Sequence, residues 1–222
     1  MSKNILIVVT SADRMANGEA TGLWLEEFAV PYRVFQQAGY KMLVASLKGG
    51  ATPIDPRSGQ EILTHPEWAE AAEQLKNTQH LDETLRAEDF DAIFLPGGHG
   101  TVFDLPGNPI LGKLLVDFDA RGKIVSAVCH GPSGFVGPLR ADGKPLVAGR
   151  TLAAFTDQEE CAVGLDKAVP FLLESRLKEL GATVITAADF SVHALRDGNF
   201  VTGQNPPSSA RTAELVVEAL RG

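Results

Sequence analysis

Five short apolar runs rich in β-branched residues punctuate the chain, at 5–9, 42–46, 92–95, 124–128 and 183–186. They do not alternate apolar with polar, so neither side of such a strand is made for water. A strand of this kind is stable only when both of its faces are covered, as in a parallel sheet with helices above and below. Segments with helical character separate the runs, at 21–38, 66–77, 108–120, 170–180 and 206–220. Strand alternating with helix implies βαβ units joined by right-handed crossovers. The expectation is an α/β fold, a three-layer helix–sheet–helix sandwich with a mostly parallel, flavodoxin-like central sheet. Around 191–202, "SVHALRDGNFVT" places Asp-Gly-Asn between two apolar runs and predicts a hairpin.

At 222 residues the chain suits one domain, 1–222, with a core of its own. The stretch 48–85 departs from the pattern. It holds Gly49, Gly50, Pro53, Pro56 and Gly59 and then a polar helix, and it is too long for a plain connection. It reads either as a functional flap or cap inserted in the domain or as a peripheral excursion. A net charge of −8 with no basic cluster argues against nucleic acid or an anionic membrane as partner. No segment approaches the roughly 18 apolar residues of a membrane span. The N-terminal "ILIVV" reads as a buried strand and not as a signal peptide. With two cysteines, Cys129 and Cys161, a disulfide framework is not expected and a cytoplasmic location is.

In open α/β sheets ligands bind beyond the carboxyl ends of the strands. Three strand ends here carry unusual chemistry: "TSAD" at 10–13, "LPGGHG" at 95–100 and "VCHGP" at 128–132. The run "KIVSAVC" followed at once by "HGPSGFVG" places Cys129 in a sharp strand-to-helix turn, flanked by the small residues Ala127 and Gly131. This is analogous to a nucleophile elbow, and a helix N-terminus beneath the sulfur would favour the thiolate. Such a thiol is expected to have a pKa below the usual value of about 8.5. The alternative is a buried structural cysteine. In "IFLPGGHG", Gly97 and Gly98 can expose backbone N–H groups to a bound oxygen; the N–H groups of Gly98 and His130 are the candidate oxyanion donors. His99 either lines the pocket or is a loop residue.

Two adjacent glutamates fall in "TGLWLEEFAVPYRVFQQAG", 21–39. Leu23, Glu27, Val30 and Val34 form an apolar stripe, whereas Glu26, Arg33 and Gln37 form a polar one. Glu27 is therefore the partly buried carboxyl and Glu26 the solvated one. A buried carboxyl needs a partner or a proton; otherwise Glu27 snorkels to the helix edge. In "FTDQEE", Thr156 to Glu159 reads as a capping box that leaves Glu160 free, although the box could run from Asp157 to Glu160. No pair among the five histidines has a zinc-motif spacing, so no metal is expected.

"TGLWLEE", "LPGGHGTVFDLPGNP", "AVCHGP", "PLVAGRTLAAFTDQEE" and "TGQNPPSS" together, in order along nearly the whole chain, resemble the ThiJ/PfpI superfamily. The match is to its heat-shock-chaperone-like branch, the glutathione-independent glyoxalases. The resemblance implies a nucleophilic Cys129 with His130 beside it, Glu27 hydrogen-bonding the sulfur, and Glu160 as the acidic partner of the histidine. It implies lyase chemistry of the D-lactate dehydratase type, from methylglyoxal to D-lactate without glutathione or any cofactor. A small dicarbonyl would need only a narrow pocket under 48–85, and a homodimer is implied. Competing readings are a stress-induced holding chaperone, a protein deglycase using the same cysteine, and a cysteine peptidase. A glutamine amidotransferase is disfavoured, because the late His193-Ala194-Leu195 lacks the glutamate of a His-x-Glu pair.

The elbow placement of Cys129 and the helical placement of Cys161 separate the two thiols. Cys129→Ser is expected to abolish turnover of methylglyoxal, while Cys161→Ser retains most of it. Comparable loss in both variants, measured at matched folded concentration, would show the site to be misplaced.

Overall fold

A computed structural model of the chain describes residues 2–222. Its strands are β1 Asn4–Val9, β2 Lys41–Ser46, β3 Gln79–His80, β4 Ala92–Leu95, β5 Ile124–Val128, β6 Thr151–Leu152, β7 Thr183–Val184, β8 Ala194–Asp197 and β9 Phe200–Gly203. Its α-helices are α1 Leu25–Gln37, α2 Pro56–Gly59, α3 Ala69–Gln74, α4 Thr101–Asp104, α5 Pro109–Ala120, α6 Asp157–Ala162, α7 Leu173–Glu179 and α8 Ser209–Arg221. Among the described residues, the central sheet has seven strands in the order β3-β2-β1-β4-β5-β9-β8. It is parallel except for the β8–β9 hairpin. No helix among the described residues is long and apolar enough to cross a membrane.

The two-residue period of the strands divides the core into two layers. Leu6, Val8, Ile93, Leu95, Val125 and Ala127 point to one face, where α5 and α7 supply Leu114, Phe118 and Leu177. Ile5, Ile7, Val9, Phe94 and Val128 point to the other, where α1 and α8 supply Phe28, Phe35, Ala213 and Val216. Both faces are covered, which is why the runs could be apolar throughout. The expected three-layer sandwich is what forms.

Several boundaries move for identifiable reasons. The run at 183–186 does not join the central sheet. Only Thr183–Val184 is strand, and it pairs with Thr151–Leu152 in a separate two-stranded sheet. The place beside β5 is taken by β9, which matches Val125–Val128 to Phe200–Gly203. The helix expected from residue 21 begins at Leu25, because the backbone of Leu23 is paired on both sides with Pro53 and Asp55. The segments from 66 and 206 open with 3₁₀ turns, Pro66–Trp68 and Pro206–Ser208, and the one from 170 starts at Leu173. Within 48–85, Gly50 and Thr78 exchange backbone hydrogen bonds at the base of the excursion. Residues 79–80 then return to the sheet edge as β3.

The carboxyl ends of β4 and β5 lie side by side, and glycine lets their outgoing loops touch. A Cβ at Gly131 would overlap the carbonyl oxygen of Leu95, and one at Gly98 would overlap Gly22 and Trp24. Gly131→Ala is therefore expected to destabilise the fold by roughly 1–3 kcal/mol or more, as overpacking does. Gly122→Ala, at an exposed left-handed turn with open space around it, should cost only about 1–2 kcal/mol. Urea denaturation midpoints of the two variants check the order; an equal effect would contradict the close approach at the β4–β5 crossing.

Candidate functional site

Cys129 follows the last residue of β5 and adopts φ +58°, a left-handed conformation that is costly for a residue with a Cβ. Hydrogen bonds hold it there from both sides. Its N–H donates to the Gly203 carbonyl (3.0 Å), extending the β5–β9 ladder by one step, and its carbonyl accepts from Phe155 N–H (3.0 Å). The turn throws the sulfur out of the sheet into a cavity of about 500 Å³. Trp24, Phe155, Phe190 and Pro206 wall that cavity; Glu27, Arg57, His99 and His130 supply its polar groups. The short helix expected after it forms as a single 3₁₀ segment, Gly131–Phe135. A five-residue turn supplies little macrodipole under the sulfur.

The thiol expectation is corrected accordingly. Cys129 is 3% exposed. Burial, and then the neighbouring Glu27, push the thiol well above its ordinary pKa. Its proton has an acceptor at hand, because Sγ lies 3.3 Å from His130 Nδ1. His130 Nε2 lies 2.7 Å from Glu160 Oε2, and His99 Nε2 lies 2.7 Å from Glu160 Oε1. Glu160 is thus a buried carboxylate with an imidazole on each oxygen. Burial opposes its charge, but the hydrogen bonds from His130 and His99 outweigh burial and hold its carboxyl well below the usual range. The capping box forms on Thr156 and Glu159, which leaves Glu160 available for the histidines.

Glu27 is fully buried and faces the thiol. Oε2 accepts from Gly97 N–H (2.8 Å), and Oε1 has no protein partner among the described residues. Burial drives its pKa well above the carboxylate range, outweighing the hydrogen bonds from Cys129 and Gly97, and so favours the neutral acid. Its surroundings also correct two other expectations. Gly97 N–H is committed to Glu27 and is not a substrate donor; the Gly98 and His130 N–H groups carry no protein acceptor among the described residues. Glu26 is not solvated but half-buried, with its pKa raised by burial. It lies near Glu61, whose own pKa is pushed up to about 7 by burial and by the charge of Glu26. The helix face also differs from the stripe: Leu25, Phe28, Tyr32 and Phe35 are buried, while Val30 and Val34 are only partly so.

The residues brought together are Cys129, His130, Glu27, Glu160, Gly98 and His99. Arg57 was not legible as part of this group, nor was Asp55. Asp55 is buried and accepts from Arg57 Nε (2.8 Å), Arg57 Nη2 (2.6 Å) and Thr21 Oγ1 (3.0 Å). Arg57 Nη2 also reaches His99 Nδ1 at 3.3 Å. A further buried carboxyl, that of Glu159, accepts from Phe190 N–H, Gln204 Nε2 and Asn205 Nδ2 and so ties the pocket wall to the loop after β9. Donor atoms of His99, His130 and Glu160 lie within 4.8 Å of one another, the reach of a metal ion. A charged Glu160 only accepts, so while it is ionised each Nε2 facing it carries a proton, and a metal bound there would have to displace both. At about 500 Å³ the cavity is larger than the narrow pocket that would suffice for a small dicarbonyl, and it falls among pockets that hold drug-sized ligands.

The model of the DJ-1/PfpI family matches residues 19–219. Glyoxalase 3 of Candida albicans is 31% identical over 97% of each chain. A glutathione-independent glyoxalase of Saccharomyces cerevisiae is 28% identical over 99% of this chain and 98% of its own. The crystal structure of glyoxalase III from Candida albicans superposes with a TM-score of 0.85 at 30% identity, covering 98% of this chain and 97% of that one.

The neutral state of Glu27 has a thermodynamic signature. Above about pH 4.3 the unfolded chain releases this proton while the folded protein retains it. Raising the pH into the window above that value therefore destabilises the fold, by about 1.4 kcal/mol per pH unit for one proton, until the folded pKa is reached. The stability of the wild type minus that of Glu27→Gln should fall with this slope from about pH 5 up to the folded pKa of Glu27 in urea titrations. A flat difference would mean that Glu27 is ionised in the folded state.

Proposed function

The chain belongs to the DJ-1/PfpI family, and from that premise we propose that it is an enzyme, a glutathione-independent glyoxalase converting methylglyoxal to D-lactate with Cys129 as nucleophile. The observation that carries the reading is the pairing of a thiol with a neutral buried acid on one side and a histidine–carboxylate pair on the other. An isomerisation of a 2-oxoaldehyde needs those parts: a nucleophile for the aldehyde, a base for the thiol, and a group that exchanges protons with two neighbouring carbons. Full-length relatives named as glyoxalases support it independently.

In this reading the Cys129 thiol proton passes to His130 Nδ1 as the sulfur bonds to the aldehyde carbon. The aldehyde oxygen, held by the N–H groups of Gly98 and His130, then takes that proton to give a hemithioacetal. Glu27 gives its proton to the ketone oxygen and takes the one on the former aldehyde carbon, which yields an enediol. It next delivers a proton to the former ketone carbon and accepts one from the other hydroxyl, which leaves a thioester and restores the neutral acid. Water, with His130 as base, cleaves the thioester to lactate and frees the thiol. The net reaction is addition of one water, with no electron acceptor. Glu160 matters because its charge balances His130 each time the ring holds a second proton.

The test is turnover of methylglyoxal without glutathione, with the chirality of the lactate as the second readout. Glu27→Gln should lower kcat by roughly 100-fold or more, the usual contribution of a positioned acid–base group, while Glu26→Gln should change it only a few-fold. L-lactate as product, or a harmful Glu26→Gln with a tolerated Glu27→Gln, would defeat this assignment.

A further inference from the structure

The base that faces the thiol is correct only in one tautomer. His130 must carry its proton on Nε2, toward Glu160, so that Nδ1 is open to Cys129. His130 cannot enforce this alone, because its partner is shared: Glu160 also faces His99, at 2.7 Å. If His99 carried its proton on Nδ1, its bare Nε2 would face Glu160 Oε1. Only a protonated Glu160 satisfies that arrangement. A neutral Glu160 would be a weak acceptor for His130 and could not balance an imidazolium. The state of the second histidine therefore decides the state of the first.

Arg57 settles the second histidine. A guanidinium only donates, and Nη2 reaches His99 Nδ1 at 3.3 Å. That nitrogen must then be the acceptor, and the proton of His99 must sit on Nε2. The guanidinium is itself held by a fork on the fully buried Asp55, with Nε on Oδ1 at 2.8 Å and Nη2 on Oδ2 at 2.6 Å. Asp55 in turn is fixed by Thr21 Oγ1 and by capping the backbone of Arg57. We propose that Arg57 is a positioning residue for the nucleophile: through His99 and Glu160 it sets the tautomer of His130 and so keeps Nδ1 open to the Cys129 thiol. The chain runs Thr21, Asp55, Arg57, His99, Glu160, His130, Cys129; its first three members lie between β1 and β3, Glu160 lies on α6, and the others follow the ends of β4 and β5. A protonated His99 is excluded by the same neighbours. Burial, the His130 ring and the Arg57 charge together lower its pKa to about 4, against the pull of Glu160.

Its kinetic consequence rests on the glyoxalase reading; the tautomers and the thiol reactivity do not. The test uses full-length protein with ¹⁵N-labelled histidine, in which one-bond N–H couplings identify the protonated nitrogen of each ring. The wild type should show Nε2–H for His99 and His130. Arg57→Leu should populate Nδ1–H on His99, weaken the Nε2–H signal of His130, and slow iodoacetamide alkylation of Cys129 by roughly 10-fold, with a matching fall in kcat and little change in KM; that size lies below the 10²–10⁴ a general base contributes, since the base itself remains. Arg57→Lys, which restores a charged donor, should recover much of each. In a His99→Gln background the amide can donate to Glu160 without a tautomer to choose, so adding Arg57→Leu should bring no further loss. Arg57→Gln replaces the leucine variant throughout if the latter does not fold. The proposal is overturned if the tautomers and the alkylation rate are those of the wild type in Arg57→Leu. It is equally overturned if the variant raises KM at constant kcat, which would make Arg57 a substrate contact, or if its full effect persists beside His99→Gln. Absence of methylglyoxal turnover in the wild type, with the tautomer and alkylation results as expected, would refute the glyoxalase reading and leave the role of Arg57 standing.

Discussion

The left-handed turn at Cys129 is the constraint around which the site is arranged. A residue with a Cβ holds φ +58° only when its surroundings over-determine it. Here β9 holds the N–H and the irregular segment leading to α6 holds the carbonyl, so the backbone has nowhere else to go. The close approach of the β4 loop follows from the same turn. A Cβ at Gly97 would lie 2.6 Å from His130 N and 2.7 Å from Glu27 Oε2. Three elements distant in sequence meet at one sulfur because glycine lets their backbones come within hydrogen-bonding reach.

Two buried carboxyls serve that sulfur in opposite states, Glu27 directly and Glu160 through His130. Glu27 has one N–H donor and an apolar wall, so burial wins and the group keeps its proton. Glu160 is also buried, yet it receives a donor on each oxygen, so the hydrogen bonds win and the group is charged. Environments that push like groups apart in this way assign the acid and the counter-charge without any difference in residue type. The thiol sits between them and is neutral at rest. Its reactivity therefore depends on a proton acceptor aligned in advance, which is why the tautomer of His130 carries so much of the chemistry.

The layers of the fold and part of the site were legible in the residues, and the reason is local. Apolar runs without alternation can lie only in a sheet covered on both faces, and the core divides between its two faces as that requires. Glu27 could be told from Glu26 by helical spacing, and the Thr156–Glu159 box could be read three residues apart. Properties that depend on neighbours distant in the chain were not legible. The run at 183–186 has strand character, but β9 occupies the place it would need. The helix under Cys129 proved to be a short 3₁₀ turn, so the expected low thiol pKa gave way to burial.

Composition and periodicity by themselves determined four parallel strands of the central sheet and the main helices that cover it, that the sheet is buried on both faces, and that a cysteine stands at a strand end. Those properties follow from side-chain polarity and from spacings of two or about 3.6 residues, which act within a few residues along the chain. Tertiary structure decided what each titratable group is. Asp55, Arg57, His99, Glu160 and His130 form one hydrogen-bonded series only after separate loops are folded against each other. Charge and tautomer depend on desolvation and on donors a few ångströms away, and those neighbours are set by packing across the sheet and not by position in the chain.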